Sequence, residues 1–143
     1  MTRIDFYVPQ EVAEGGRYAL ACRLVEKAFQ QNRRVFIHAP SEEVALHMDR
    51  LLWTFRQGSF IPHGLLHRSD ASLTPVLISH RGDPDEEQDV LVNLTDQVPP
   101  FFSRFERMLE PLDRVPETLA AGRERFRFYR ERGYSIEHHE VSS

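Results

Sequence analysis

Cysteine is nearly missing from these 143 residues, with Cys22 the one example. A single thiol cannot close an internal bridge. With no apolar leader near the start, this composition is that of a protein of a reducing cytoplasm rather than a secreted one. Long apolar runs are missing as well, and none approaches the roughly 18 residues that a membrane span requires. The glycine fingerprints of nucleotide sites are not there either: the chain has no G-x-G-x-x-G and no G-x-x-x-x-G-K-[ST]. Its one glycine loop, EVAEGG, contains Gly15 and Gly16, which permit a turn, and the nearest lysine, Lys27, falls within helical sequence. Net positive charge is lacking too. Eighteen basic residues against 22 acidic ones leave −4, which argues against nucleic acid being held by the whole surface, because such binding depends on neutralising phosphates. No internal repeat or low-complexity tract occurs.

What is present suffices for one compact domain. At 41% hydrophobic and 28% charged residues, a chain of this size buries roughly two thirds of the surface it exposes when unfolded, so residues 1–143 read as a single domain. RIDFYVP, at Arg3–Pro9, is β-branched and aromatic and reads as an opening strand. Over residues 18–29, apolar side chains at 18, 21, 24, 25, 28 and 29 have helical spacing. RVFIHA at 34–39 reads as a buried strand, and Ser41 followed by Glu42 and Glu43 reads as the capped start of a second helix ending at Gly58. This alternation predicts an α/β domain with three α/β/α layers and a mostly parallel sheet. Further strands are expected at 75–79 and 89–94, but the gap between them, HRGDPDEEQ, is too short for a helical crossover. It therefore predicts either an antiparallel step, making the sheet mixed, or a longer route. Residues 101–109 fit strand or helix, Pro116 opens a final helix that Gly133 ends, and 134–141 form a short terminal extension.

Several constellations carry chemistry in other proteins. His63 and His67 are four apart and His138 and His139 are adjacent, while His38 and His80 end strands, yet no cysteine or carboxylate shell accompanies them, and no metal site is expected. Ser41 reads as a cap, Cys22 sits in helical periodicity, and the acids of 83–87 form a solvated loop, so nothing requires an enzyme. WTFRQGSFIPHGL places Trp53, Phe55, Phe60 and Ile61 around Gly58 and Pro62. Such side chains either fold back under the domain or form an exposed partner patch, and both readings stay open.

The densest signal is RERFRFYRERGY, in which five arginines are interleaved with Phe126, Phe128 and Tyr129. Residues 116–132 hold those five arginines against three glutamates, a net +2 that leaves the rest of the chain at −6. Residues three, four and seven apart share a helix face, which groups Arg123, Phe126, Arg127 and Arg130, while Leu119, Ala121, Phe128 and Tyr129 supply an apolar face. A ring among guanidiniums suits an acidic peptide end with an apolar side chain and a carboxylate. The alternative is a solvated helix with internal pairs such as Glu124 with Arg127.

RIDFYVP, RRVFIHAPSEEVALHMDRLLW, SFIPHGL, DVLVNL and RERFRFYRERGYSI, in this order and over nearly the whole chain, resemble the chi subunit family of bacterial DNA polymerase III. The resemblance implies a mononucleotide-binding-like α/β fold without the phosphate loop, no catalysis, no cofactor, and an accessory role in the clamp-loader assembly during replication. It implies pairing with the psi subunit and a grip on the acidic C-terminal tail of single-stranded DNA-binding protein, which ends in a phenylalanine and a free carboxylate. By position, Arg123 matches the arginine that meets this carboxylate. Phe126 stands where an aromatic, commonly tyrosine, forms the ring pocket, and Arg127 and Arg130 attract the tail's aspartates. Trp53, Phe60, Ile61 and Pro62 match the patch used for psi and, in some species, for a helicase-like partner. A direct single-stranded DNA binder and a degenerate nucleotide-binding enzyme are the competing readings.

Overall fold

A computed structural model describes residues 1–82, 84 and 89–142. Among them, seven strands form one sheet in which neighbours in space are seldom neighbours in sequence. In chain order the elements are β1 (Arg3–Pro9), α1 (Gly16–Gln30), β2 (Val35–His38), α2 (Glu42–Thr54), β3 (His63–Leu65), β4 (Val76–Ser79), β5 (Val90–Asn93), β6 (Arg107–Pro111), α3 (Pro116–Glu131) and β7 (Ser135–Val141). The sheet order is β3-β4-β2-β5-β6-β1-β7, and every pairing is parallel.

The antiparallel step considered between residues 79 and 89 does not occur. Strand β2 lies between β4 and β5, hydrogen-bonded to both in parallel, so the connection is the longer route and passes one strand over. The acidic loop expected at 83–87 falls, apart from Pro84, outside the described residues. Residues 101–109 divide between a 3₁₀ turn, Phe102–Arg104, and the start of β6. The terminal extension is a seven-residue edge strand paired with β1 along its whole length.

Strand alternation separates two apolar faces. On one, the register aligns Leu77, Phe36, Leu91, Met108, Ile4 and Ile136 across six strands, and Phe101, Phe102, Phe105 and Tyr129 complete that core under α3. On the other, Ile78, Ile37, Val92 and Leu109 form the matching row, covered by Ala21, Cys22 and Val25 of α1 and Ala45, Met48 and Leu52 of α2. Helices on both faces of a parallel sheet make the three layers that the sequence predicts. The Ser41 hydroxyl caps α2 by accepting from the Val44 amide at 3.2 Å. The helix stops at Thr54, short of the expected Gly58, because the chain then turns inward to bury Ile61. Glu26 of α1 secures that turn, bonding Ser59 at 2.6 Å and Arg56 at 3.3 Å.

Candidate functional site

Helix α3 starts on Pro116, whose missing N–H would be unpaired at that position in any case. Asp113 accepts from the Val115 amide just before it, and Glu117 supplies an acid to the first turn. At the other end Gly133 adopts φ 81°, and the amides of Gly133 and Tyr134 fold back onto the carbonyls of Arg130 and Tyr129. Gly122 lets the helix approach the chain just after β6, since a Cβ there would come 2.8 Å from Leu112 Cδ1.

With the helix placed, the interleaved arginines fall into two groups. Arg123, Arg127 and Arg130 are exposed and Phe126 is half-buried. The Phe126 ring packs on Phe6 of β1 at 5.4 Å between centroids, and the Arg130 guanidinium stands 5.9 Å from its centre. Arg127 pairs with Glu124 at 3.0 Å, an exposed contact of the kind worth about 0.2–0.5 kcal/mol. Among the described residues Arg123 has no ion-pair partner. The four residues grouped by spacing thus share a ridge: a supported ring flanked by cations.

Arg125 does not belong to it. Its side chain is 3% exposed and bonds the carboxylate of Glu110, itself 0% exposed, through Nε at 3.1 Å and Nη2 at 3.1 Å. The same carboxylate accepts from the Tyr129 hydroxyl at 2.7 Å and from Asn93 Nδ2 at 3.1 Å. Burial, followed by the Glu110 charge and hydrogen bond, pushes the Tyr129 phenol far above its ordinary range. The apolar face expected from Leu119, Ala121, Phe128 and Tyr129 is therefore built around a buried polar centre. Spacing gave no signal of this, because the partner carboxylate lies 15 residues away on β6. With Arg125 neutralised internally, the exposed helix presents four arginines, 123, 127, 130 and 132, against Glu117, Glu124 and Glu131.

The second patch is split by burial. Trp53 is 56% exposed and Phe60 81% exposed, and Pro62 is also exposed, whereas Ile61 is 2% exposed and belongs to the core. Ile61 therefore anchors the loop instead of offering contact. Within this segment Ile61 and the half-buried Phe55 fold under the domain, and Trp53, Phe60 and Pro62 face out. The Trp53 ring lies 4.4 Å from His63, whose nitrogens sit 2.7 Å from the Ile61 carbonyl and 2.8 Å from that of Asp49. This ties α2 to the loop.

A third cluster escaped sequence reasoning. In register with Leu109, where the other apolar row continues, β1 carries Asp5, which is 1% exposed. Its carboxylate receives Arg107 at 2.7 Å, His139 at 2.9 Å and Arg3 at 3.4 Å. Burial by itself would raise this carboxyl, but the hydrogen bonds from His139 and Arg107 and the charges of Arg107 and Arg3 outweigh it and hold it below 3.8. Asp5, Glu137 and His139 lie close enough to share an ion, yet the arginines already occupy Asp5. Cys22 is buried, its thiol pushed up to about 12, which removes it from nucleophilic chemistry.

The structure is thus a parallel α/β domain with two separate surface aromatic groups, Trp53 with Phe60 after α2 and the half-buried Phe126 among arginines on α3. The sequence matches the family described as DNA polymerase III chi subunit, HolC, over residues 1–137. Among curated relatives it is similar to the DNA polymerase III subunit chi of Pseudomonas aeruginosa, at 40% identity over 141 residues, covering 99% of this chain and 98% of the relative. It is also similar to subunit chi of Haemophilus influenzae, at 27% identity with 92% of each chain covered, and to that of Escherichia coli, at 25% with 82% and 80% covered. The chain belongs to the DNA polymerase III chi subunit family, which places it among the replication proteins of bacteria. Among the described residues no helix is long and apolar enough to cross a membrane.

Proposed function

We propose that this chain is a non-catalytic adaptor of the clamp-loader assembly, joining the psi subunit to the C-terminal tail of single-stranded DNA-binding protein. The observation that carries the reading is the α3 ridge, where Phe126 lies half-open on Phe6 beside Arg123, Arg127 and Arg130. A half-buried ring gives an incoming phenylalanine an apolar seat, and the unpaired Arg123 is free to grip a terminal carboxylate with two parallel hydrogen bonds. Arg127 and Arg130 add the field that attracts acidic residues upstream in the tail. Trp53, Phe60 and Pro62 form the psi-facing surface, with Ile61 beneath them. Because the two faces lie on different elements, one at the end of α2 and the other on α3, both partners can be held at once.

Calorimetric titration with the tail peptide, beside the same peptide amidated at its C-terminus, tests the reading. The free-carboxylate peptide is expected to bind at least tenfold more tightly. Equal affinities would remove the carboxylate grip, and sequence-independent strand binding that falls steeply with salt would favour direct DNA contact instead.

A further inference from the structure

The buried polar centre beneath α3 is not used by either binding face, and apolar packing could have filled its place. Taking a carboxylate and a guanidinium out of water is costly, and well-packed apolar residues of similar volume often serve stability as well or better. The pair is also incompletely satisfied, since Arg125 Nη1 has no acceptor among the described residues. What the centre provides is direction. Arg125 and Tyr129 are one helical turn apart and converge on one carboxylate, Arg125 through two nitrogens and Tyr129 through its hydroxyl. Glu110 is in turn fixed from the sheet side by Asn93 of β5.

Three directional bonds from two successive turns define both the axial position of a helix and its rotation. The ring contacts around them, Phe6 with Tyr129 at 6.1 Å and Phe102 with Tyr129 at 5.3 Å, tolerate a range of angles. Each residue advances a helix by about 100°. With 125 and 129 turned inward, this advance puts Phe126 and Arg130 on the flank and Arg123 and Arg127 on the outer side; Phe126 is half-buried and the three arginines are exposed. A rotation of one residue would bury Phe126 and Arg130 and dismantle the ridge.

We infer that Glu110, Arg125 and Tyr129 are positioning residues for the tail-binding face, a polar clamp that sets the rotation of α3 on the sheet. The inference rests on the tail-binding reading above for what the clamp serves, and on the hydrogen-bond geometry for the clamp itself.

The test replaces the pair by apolar residues, Glu110→Leu with Arg125→Met, and reads three quantities in the full-length protein: the urea unfolding midpoint, amide exchange along α3, and calorimetric affinity for the free-carboxylate tail peptide. The expected result is a midpoint lowered by the loss of an acceptor for the buried Tyr129 hydroxyl, exchange in α3 at least tenfold faster while α1 and α2 are unchanged, and peptide affinity at least tenfold lower. Unchanged α3 exchange, or full affinity despite a loosened helix, would overturn the clamp. If the double variant does not fold, Tyr129→Phe removes one of the three bonds and keeps the ring; a threefold or greater rise in α3 exchange is then expected, and no change would overturn the inference. Failure of the parent protein to bind the peptide would count against the tail reading alone, because α3 exchange still decides whether the clamp exists.

Discussion

Phe126 of α3 rests on Phe6 of β1, their ring centroids 5.4 Å apart and the planes tilted by 54°. The contact joins the ridge to the sheet, so the ring belongs partly to the core and partly to the surface. Removing it as Phe126→Ala should lower stability by about 1–3 kcal/mol, less than for a fully buried phenylalanine, and weaken tail-peptide binding at least tenfold. Phe126→Tyr keeps the ring and adds a hydroxyl at a half-open position, so stability and binding should both persist. Urea unfolding and calorimetry on the two variants check this.

Arg123 carries no internal ion pair among the described residues, and its removal leaves no buried partner stranded. Arg123→Ala is therefore expected to change stability by no more than about 0.5 kcal/mol, while tail affinity drops at least tenfold. Amidating the peptide should cost the parent protein affinity and make little further difference to the variant, since both changes remove one contact. Additive losses in this cycle would separate Arg123 from the carboxylate.

Adjacent residues on the second patch should behave oppositely. Phe60→Ala, at an exposed side chain, should leave the unfolding midpoint nearly unchanged and abolish co-purification with psi while tail binding survives. Ile61→Ala cuts into the core and should destabilise by about 2–4 kcal/mol, with any binding loss following the fraction unfolded. Equal destabilisation by the two would contradict the split.

Asp5 makes stability depend on acid. Its carboxyl is held below the ordinary value of 3.8 in the folded protein, so the unfolded chain takes up the proton first as pH falls. The contribution is complete above the ordinary value and disappears as pH drops through the lower, folded one. Asp5→Asn should cost about 1–3 kcal/mol at neutral pH, and the gap between parent and variant should close below roughly pH 4. Denaturant midpoints measured from pH 7 to about 3 would show whether the curves converge.

Local patterns were legible wherever one residue's role follows from its near neighbours. The spacing of apolar side chains marked α1 and α2, Ser41 marked the cap, Pro116 and Gly133 bounded α3, and helical spacing alone gathered Arg123, Phe126, Arg127 and Arg130. Long-range pairing was not legible in the same way. HRGDPDEEQ looked too short for a crossover because its length says nothing about β2 lying between the two strands it joins. The extension at 134–141 held its strand character only through β1, which is at the other end of the chain.

Consecutive letters marked β1, α1, β2, α2, β4, β5 and α3 and the outward face of Arg123, Arg127 and Arg130, since helix periodicity and turn chemistry act over a few residues; they did not mark β3, and they left 101–109 open between strand and helix. Three-dimensional packing turns Arg125 inward to Glu110, seals Ile61 while Phe60 stands open, and gathers His139 and Arg107 on Asp5. Each of these is a matter of which charge or ring finds a partner across the sheet, and burial makes that choice through desolvation and packing, which no stretch of neighbouring residues encodes.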